Sequence, residues 1–189
     1  MFQHPAFRKL HRCSGLVLAV FVLVHLLNHV LLAVDHAAAF AFMDAFRHVY
    51  RQGAVEPVIL VAVLVQLATG PALARGAGSA VAARISGYYL LFFLLVHVSA
   101  VLWGRLGLGL DTDIGFAASG MRGWPGIAFF APYYFLAVVA VCLHVGLGLS
   151  RLFGAPSRAA LLASSATGLI GGAAIVGGLL AVAGGTPAP

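Results

Sequence analysis

RCSGLVLAVFVLVH (residues 12–25) and RISGYYLLFFLLVH (residues 84–97) are two copies of one phrase, identical at eight of 14 positions and offset by 72 residues. Each copy is apolar enough to lie in a lipid bilayer, and each ends in a histidine, His25 or His97. A polar side chain at membrane depth is costly unless something inside the protein answers it. The same histidine at the same place in a duplicated helix therefore implies a shared task. The simplest one is to grip a single metal centre from two sides.

The rest of the chain agrees with a membrane setting. Of its 189 residues 62% are hydrophobic and only 8% charged, and the mean hydropathy is +1.03. Apolar runs of about 20 residues read as membrane-spanning helices. Five are expected, at 14–34, 57–75, 86–106, 126–150 and 163–183, which leaves no room for a separate soluble domain. The expected fold is thus an all-α, integral membrane five-helix bundle forming a single domain over 1–189. The first run follows Arg8, Lys9 and Arg12, as the apolar part of a signal peptide would. It is too long for that, carries His25, Asn28 and His29, and lacks a small-residue cleavage site, so it is expected to remain as a helix.

Charge sets the expected orientation. Arg8, Lys9, Arg12, Arg75, Arg84, Arg151 and Arg158 flank one side of the spans; Arg47, Arg51, Arg105 and Arg122 flank the other, with all five acids, Asp35, Asp44, Glu56, Asp111 and Asp113. The positive-inside rule then places the N-terminus in the cytoplasm and the C-terminus outside, the arrangement of a multi-pass protein of a cell inner membrane. The net charge of +6 reflects this orientation, and no basic patch with interleaved aromatics points to nucleic acid. Cys13 and Cys142 form neither a CxxC nor a CxxCH, which excludes covalent c-type haem attachment and a thiolate zinc site; no disulfide is expected.

The repeat continues past the phrase. Each copy leads into a loop of roughly 20 residues with a proline near the next helix start (Pro57; Pro125 and Pro132), and a returning helix ends at Arg75 or Arg151. The first four long helices therefore read as a duplicated hairpin. The fifth stands outside it, is rich in glycine, and carries a Gly168–Gly172 GxxxG spacing suited to close packing. The 107–123 loop, with Asp111 and Asp113, reads as solvated rather than cation-binding, and the tail 184–189 as loose.

Depth decides which histidines can share a centre. His25 lies 11 residues past Ser14 and His97 lies 11 past Ser86, so both sit about 16 Å from the cytoplasmic face. Level imidazoles on two parallel helices suit the two axial positions of a haem iron. His144 sits about 10 Å from that face, and its counterpart on the second long helix is Gln66, a poor iron ligand. His144 either hydrogen-bonds Gln66 or serves a lone five-coordinate haem. His29, one turn above His25 on the same face, is a candidate with Asn28 for a haem propionate or a quinone. His4, His11, His36 and His48 read as interfacial or loop histidines. The His11-Arg12 and Arg47-His48 pairs remain candidates for the polar ends of a quinone pocket.

The twice-used Ser-Gly, followed ten residues after the glycine by His, resembles the cytochrome b membrane anchor of succinate:quinone oxidoreductases and fumarate reductases, in its single-chain, five-helix, dihaem form. The likeness covers about 10–151, and the last helix only by hydropathy. It implies that His25 and His97 are the distal-haem ligands and that His144, followed by Gly148 and Arg151, is one proximal-haem ligand. The other proximal position matches Gln66, a departure that puts a second haem in question. The family's helix order also implies either that its short third helix is missing here or that the last helix is a sixth-position element. His11-Arg12-Cys13-Ser14-Gly15 is similar to the HRxSG segment near the quinone site of mitochondrial-type anchors. Arg12, Ser14 and Ser86 thereby become candidate haem or quinone contacts. Arg47, His48 or Glu56 would stand in for the family's acidic quinone residue.

The resemblance implies a haem b anchor that carries electrons between a peripheral iron–sulfur and flavoprotein partner and membrane quinone; the chain alone, with no flavin or iron–sulfur motif, would not oxidise succinate. The alternatives are a stand-alone membrane haem b electron carrier or haem sensor, and a haem-free helical bundle. The absence of a broken helix with intramembrane carboxylates argues against a proton-coupled transporter. A homo-oligomer is compatible with any of these.

Overall fold

A computed structural model describes residues 5–74 and 81–185. His4, Arg75 and the end of the expected tail, 186–189, lie outside the described residues. Five helices are long and apolar enough to cross a membrane: α1 (Pro5–Leu31), α3 (Val55–Ala74), α4 (Val81–Leu102, prolonged by a π-turn at Trp103–Gly107), α6 (Gly126–Phe153) and α7 (Ser157–Ala183). Two shorter helices, α2 (His36–Tyr50) and α5 (Ile114–Ser119), complete the set among the described residues. The expected five-helix bundle is therefore the observed one, and the protein is a multi-pass membrane protein. In α4 only 6% of the apolar window is buried. Val20, Leu64, Ile85 and Ile170 point outward, each more than 60% exposed, which suits lipid and not water.

α1, α4, α6 and α7 exceed their expected bounds at the end that holds the N-terminus (the near end), while α1 stops at Leu31, short of the expected 34. Hydropathy sees only the apolar part of a helix. The 27 residues of α1 rise about 40 Å, more than the roughly 30 Å hydrocarbon core, so its first turns run through Arg8, Lys9 and Arg12. Pro5 opens α1 at a position where a missing N–H costs nothing. Gly154, at φ 68°, ends α6 with its N–H on the Ser150 carbonyl, the left-handed close that glycine permits. Pro132 lies inside α6 rather than at its start.

The stretches expected as loops at the far end are partly helical. α2 occupies most of 35–54, and α5 sits within 107–123. Each starts at an aspartate cap: Asp35 accepts from the Ala38 N–H and Asp113 from the Phe116 N–H, both at 2.9 Å. A cap of this kind satisfies an otherwise orphaned donor. The duplication is thus of three elements, α1-α2-α3 and α4-α5-α6, each a long helix, a short capped helix and a returning helix.

The long helices close a ring in the order α1, α3, α4, α6, α7 and back to α1. The two hairpins, α1 with α3 and α4 with α6, pack closely; α6 with α7 is the most extensive pair. The glycines of α7 explain that last contact. A Cβ added at Gly168 would lie 2.8 Å from Val139 Cα, and one at Gly172 would lie 3.0 Å from the Phe135 ring. A core at the far end gathers Ala39, Met43, Ile114, Val138 and Leu179 from α2, α5, α6 and α7, with Leu32 and Met121 from the turns after α1 and α5. A smaller cluster, Leu18 with Ala62 and Val63, joins α1 to α3.

Gly168→Ala is expected to lower detergent-solubilised stability by about 1–3 kcal/mol, because the new methyl meets backbone that cannot yield. Gly177→Ala, where a Cβ meets nothing within 4 Å, is expected to be neutral or mildly stabilising. Thermal unfolding of the two variants side by side checks this, and equal melting temperatures would contradict the packing account.

Candidate functional site

Two pairs of histidines face each other across the interior of the ring. At the upper level, toward the far end, His25 of α1 and His97 of α4 have ring centroids 6.3 Å apart with planes at 64°. At the lower level, His11 of α1 and His144 of α6 also lie 6.3 Å apart, with planes at 78°. Within the ring α1 makes no extensive backbone contact with α4 or α6. Both pairs therefore reach across the bundle rather than between packed neighbours. All four rings are half-buried.

The upper pair repeats its surroundings. Phe21 stacks on His25 at 5.8 Å and Phe93 stacks on His97 at 5.0 Å, and the two phenylalanines are equivalent positions of the repeated phrase. Neither imidazole has a hydrogen-bond partner among the described residues. His29 packs edge-on to His25 at 4.6 Å and is buried, and its Nδ1 has no partner. Asn28, beside it, donates to the Ala39 carbonyl at 2.7 Å and so ties α2 to α1, while its Oδ1 is unanswered.

The lower pair is firmly held. His11 Nδ1 lies 2.9 Å from Thr69 Oγ1. His144 Nδ1 lies 3.1 Å from the Ala83 carbonyl and 3.5 Å from Ser86 Oγ. The hydrogen bond between His144 and Gln66, one of the two roles expected for His144, is not formed. The Gln66 amide donates instead to the His11 carbonyl at 2.7 Å and to Ser14 Oγ at 2.8 Å. Gln66 and His144 are nonetheless true counterparts. Each lies over the Ser-Gly of one copy of the phrase, Gln66 against Gly15 and His144 against Gly87.

The remaining candidates separate by place. Ser14 and Ser86 are buried and donate to carbonyls one turn back, Leu10 and Ala83. Arg12 is exposed on α1, and His36 opens α2. His48 is exposed on α2 and helps line a far-end cavity of about 350 Å³ with Asp44, Arg47, Arg51, Gln52 and Asp111. There Arg47 pairs with Asp111. Burial alone would lower the Arg47 pKa, but the hydrogen bond and charge of Asp111 outweigh it and hold the guanidinium above its ordinary value. Arg51 donates to Thr112 Oγ1 at 3.0 Å, and its buried Nε has no partner. Asp113 is a helix cap, and Glu56 is engaged by Arg105 at 2.6 Å. The cavity and the upper pair are joined by rings. Arg51 lies over Tyr50, Tyr50 meets Phe21 at 5.3 Å, and Phe21 stacks on His25.

Sequence reasoning places His25 with His97 but misses His11 as a partner for His144. A signal is available: His11 and His25 are 14 residues apart on one helix, close to four turns. Cys13 and Cys142 are both free. Among the described residues no group of three or more His, Cys, Asp or Glu is placed to hold a bare metal ion. Two-histidine sites suit a metal that brings its other ligands with it.

No family model, curated protein or solved structure matches this chain.

Gln66→Leu is expected to cost about 1–3 kcal/mol of stability, since it strips a donor from the buried Ser14 hydroxyl and the His11 carbonyl. Chemical or thermal unfolding in detergent measures the change, and an unaltered midpoint would mean that the α1–α3 tie contributes nothing.

Proposed function

We propose that the protein is a membrane b-type haem electron carrier with His25 and His97 as the axial ligands. The observation that carries this reading is the upper pair itself: two imidazoles on helices of the repeat, facing each other with no hydrogen-bond partner among the described residues. A metal–imidazole bond is about 2.0 Å and a ring centroid lies about 1.1 Å behind its nitrogen. Two imidazoles on opposite sides of one metal thus have centroids about 6 Å apart. The 6.3 Å of His25 and His97 fits that requirement. The buried, unpartnered Nδ1 of His29 fits a polar group of the same ligand or of an adjacent one.

A haem bound here would supply a one-electron iron couple, with bis-imidazole ligation setting its potential. The chain's own part is to hold two neutral imidazoles at one depth, flank them with Phe21 and Phe93, and keep the surroundings apolar. The far-end cavity is the proposed quinone site. His48, which lines it, is a donor suited to a quinone carbonyl, and Tyr50 and Phe21 link that cavity to His25.

The resemblance to succinate dehydrogenase and fumarate reductase anchors supports a role between a peripheral iron–sulfur and flavoprotein partner and quinone, in an inner membrane with the N-terminus cytoplasmic. A second reading, a stand-alone haem b carrier, is favoured by Gln66. It stands where the family's other ligand belongs, and it is committed to Ser14 and the His11 carbonyl. Co-purification of a flavoprotein with the native chain upholds the first; a chain that purifies alone with its haem upholds the second.

His97→Ala is expected to abolish the low-spin spectrum of the upper centre. Reduced-minus-oxidised spectra with pyridine haemochrome quantitation provide the measurement. A wild-type chain with no Soret band, or a His97→Ala variant with an unchanged one, would sink the proposal.

A further inference from the structure

The lower pair carries an inference of its own. Thr69 Oγ1 gives its hydrogen to the Val65 carbonyl at 2.6 Å, so in the 2.9 Å contact with His11 the imidazole Nδ1–H is the donor. The Ala83 carbonyl can only accept, so His144 also donates through Nδ1. The hydrogen-bond network thereby assigns the same tautomer to both rings, with the proton on Nδ1 and a bare lone pair on Nε2. No hydrogen bond among the described residues involves either Nε2. The nearby donors are engaged elsewhere: Gln66 with Ser14 and the His11 carbonyl, and Ser86 with the Ala83 carbonyl.

An imidazole whose Nδ1–H is fixed by an oxygen, leaving Nε2 bare, is the usual arrangement of a metal-ligating histidine. Here it occurs twice, on rings whose centroids lie 6.3 Å apart, the same separation as the upper pair. Small residues flank both rings. A Cβ on Gly87 would lie 3.1 Å from His144 Cε1, and one on Gly70 would lie 3.9 Å from His11 Cε1. The 14 residues between His11 and His25 bring the two levels onto one side of α1, about 21 Å apart along its axis.

We propose that His11 and His144 are the axial pair of a second haem, stacked below the first along α1. This rests on the reading of the upper pair as a haem site. It departs from the resemblance, which puts the second ligand at Gln66 on α3; here α1 supplies one ligand at each level. Two centres at two depths would make the chain a conductor across the membrane rather than a carrier on one side.

The test uses the full chain, expressed with haem supplied and purified in detergent, with pyridine haemochrome content per chain and low-temperature EPR of the oxidised protein. Two haems per wild-type chain are expected, with His11→Ala and His144→Ala each losing one and its low-spin signal while the other signal stays. His97→Ala should lose the other. Since His11→Ala disturbs the Thr69 contact, His11→Met provides a control. It keeps an iron ligand, so the haem should be retained with a shifted EPR signal, which a merely structural histidine would not cause. Haem content and EPR unchanged in His11→Ala would overturn this inference. A single haem that follows His97 and not His11 sinks it alone. A single haem that follows His11 and not His97 sinks the upper assignment and upholds this one. No haem in the wild type sinks both.

Discussion

Lipid offers a polar side chain no hydrogen bond, and the interior of this bundle is arranged around that fact. With apolar surfaces turned outward on the long helices, every serine, threonine, tyrosine, glutamine and histidine inside must find its partner within the ring. Ser14, Ser86 and Thr69 donate back along their own helices, and the larger side chains reach across to neighbours. Gln66 reaches from α3 to Ser14 on α1, and Tyr89 of α4 donates to the Tyr133 carbonyl of α6 at 2.9 Å. Thr69 and Ala83 hold the two lower imidazoles. The buried side-chain atoms left without a partner among the described residues, Asn28 Oδ1, His29 Nδ1 and Arg51 Nε, all lie toward the far end. The unsatisfied polarity is thus concentrated above and beside the upper histidine pair.

The duplication explains how two levels arise from one phrase. Each copy supplies a serine that bonds back along its own helix and a glycine that leaves room for whatever the returning helix presents. In the first unit that group is an amide, Gln66, which locks the hairpin shut. In the second it is an imidazole, His144, held by its Nδ1 and free at Nε2. The symmetry of the fold is therefore greater than the symmetry of its chemistry. His144 does not meet its own repeat's equivalent; it meets His11, which lies just ahead of the first phrase and has no copy in the second.

Much of this architecture is legible in the amino-acid sequence. Five apolar runs correspond to five spans, because apolar length is what a bilayer selects for. The repeated register makes His25 and His97 level, and parallel helices do bring them together. What stays hidden has physical causes. Hydropathy underestimates the helix ends because α1 and α7 continue past the apolar stretch into charged turns. It reads α2 and α5 as loops because they are short and lie at the far end, where hydropathy is silent. Their aspartate caps, Asp35 and Asp113, are the available signal. His11 reads as an interfacial residue because Lys9 and Arg12 surround it. On a helix, neighbours in sequence point different ways, and His11 turns inward while Arg12 stays exposed.

The closing of the ring by α7 has a consequence for how the molecule is made. α7 leaves the ribosome after the other described spans, and it packs against both α6 and α1. Until it arrives the other four spans form an open arc. Once Gly168 and Gly172 seat on α6, and Gly178 against Leu32 just past the end of α1, the arc is closed. The glycine-rich helix that stands outside the duplication is thus the last described span to be made and the one that closes the ring.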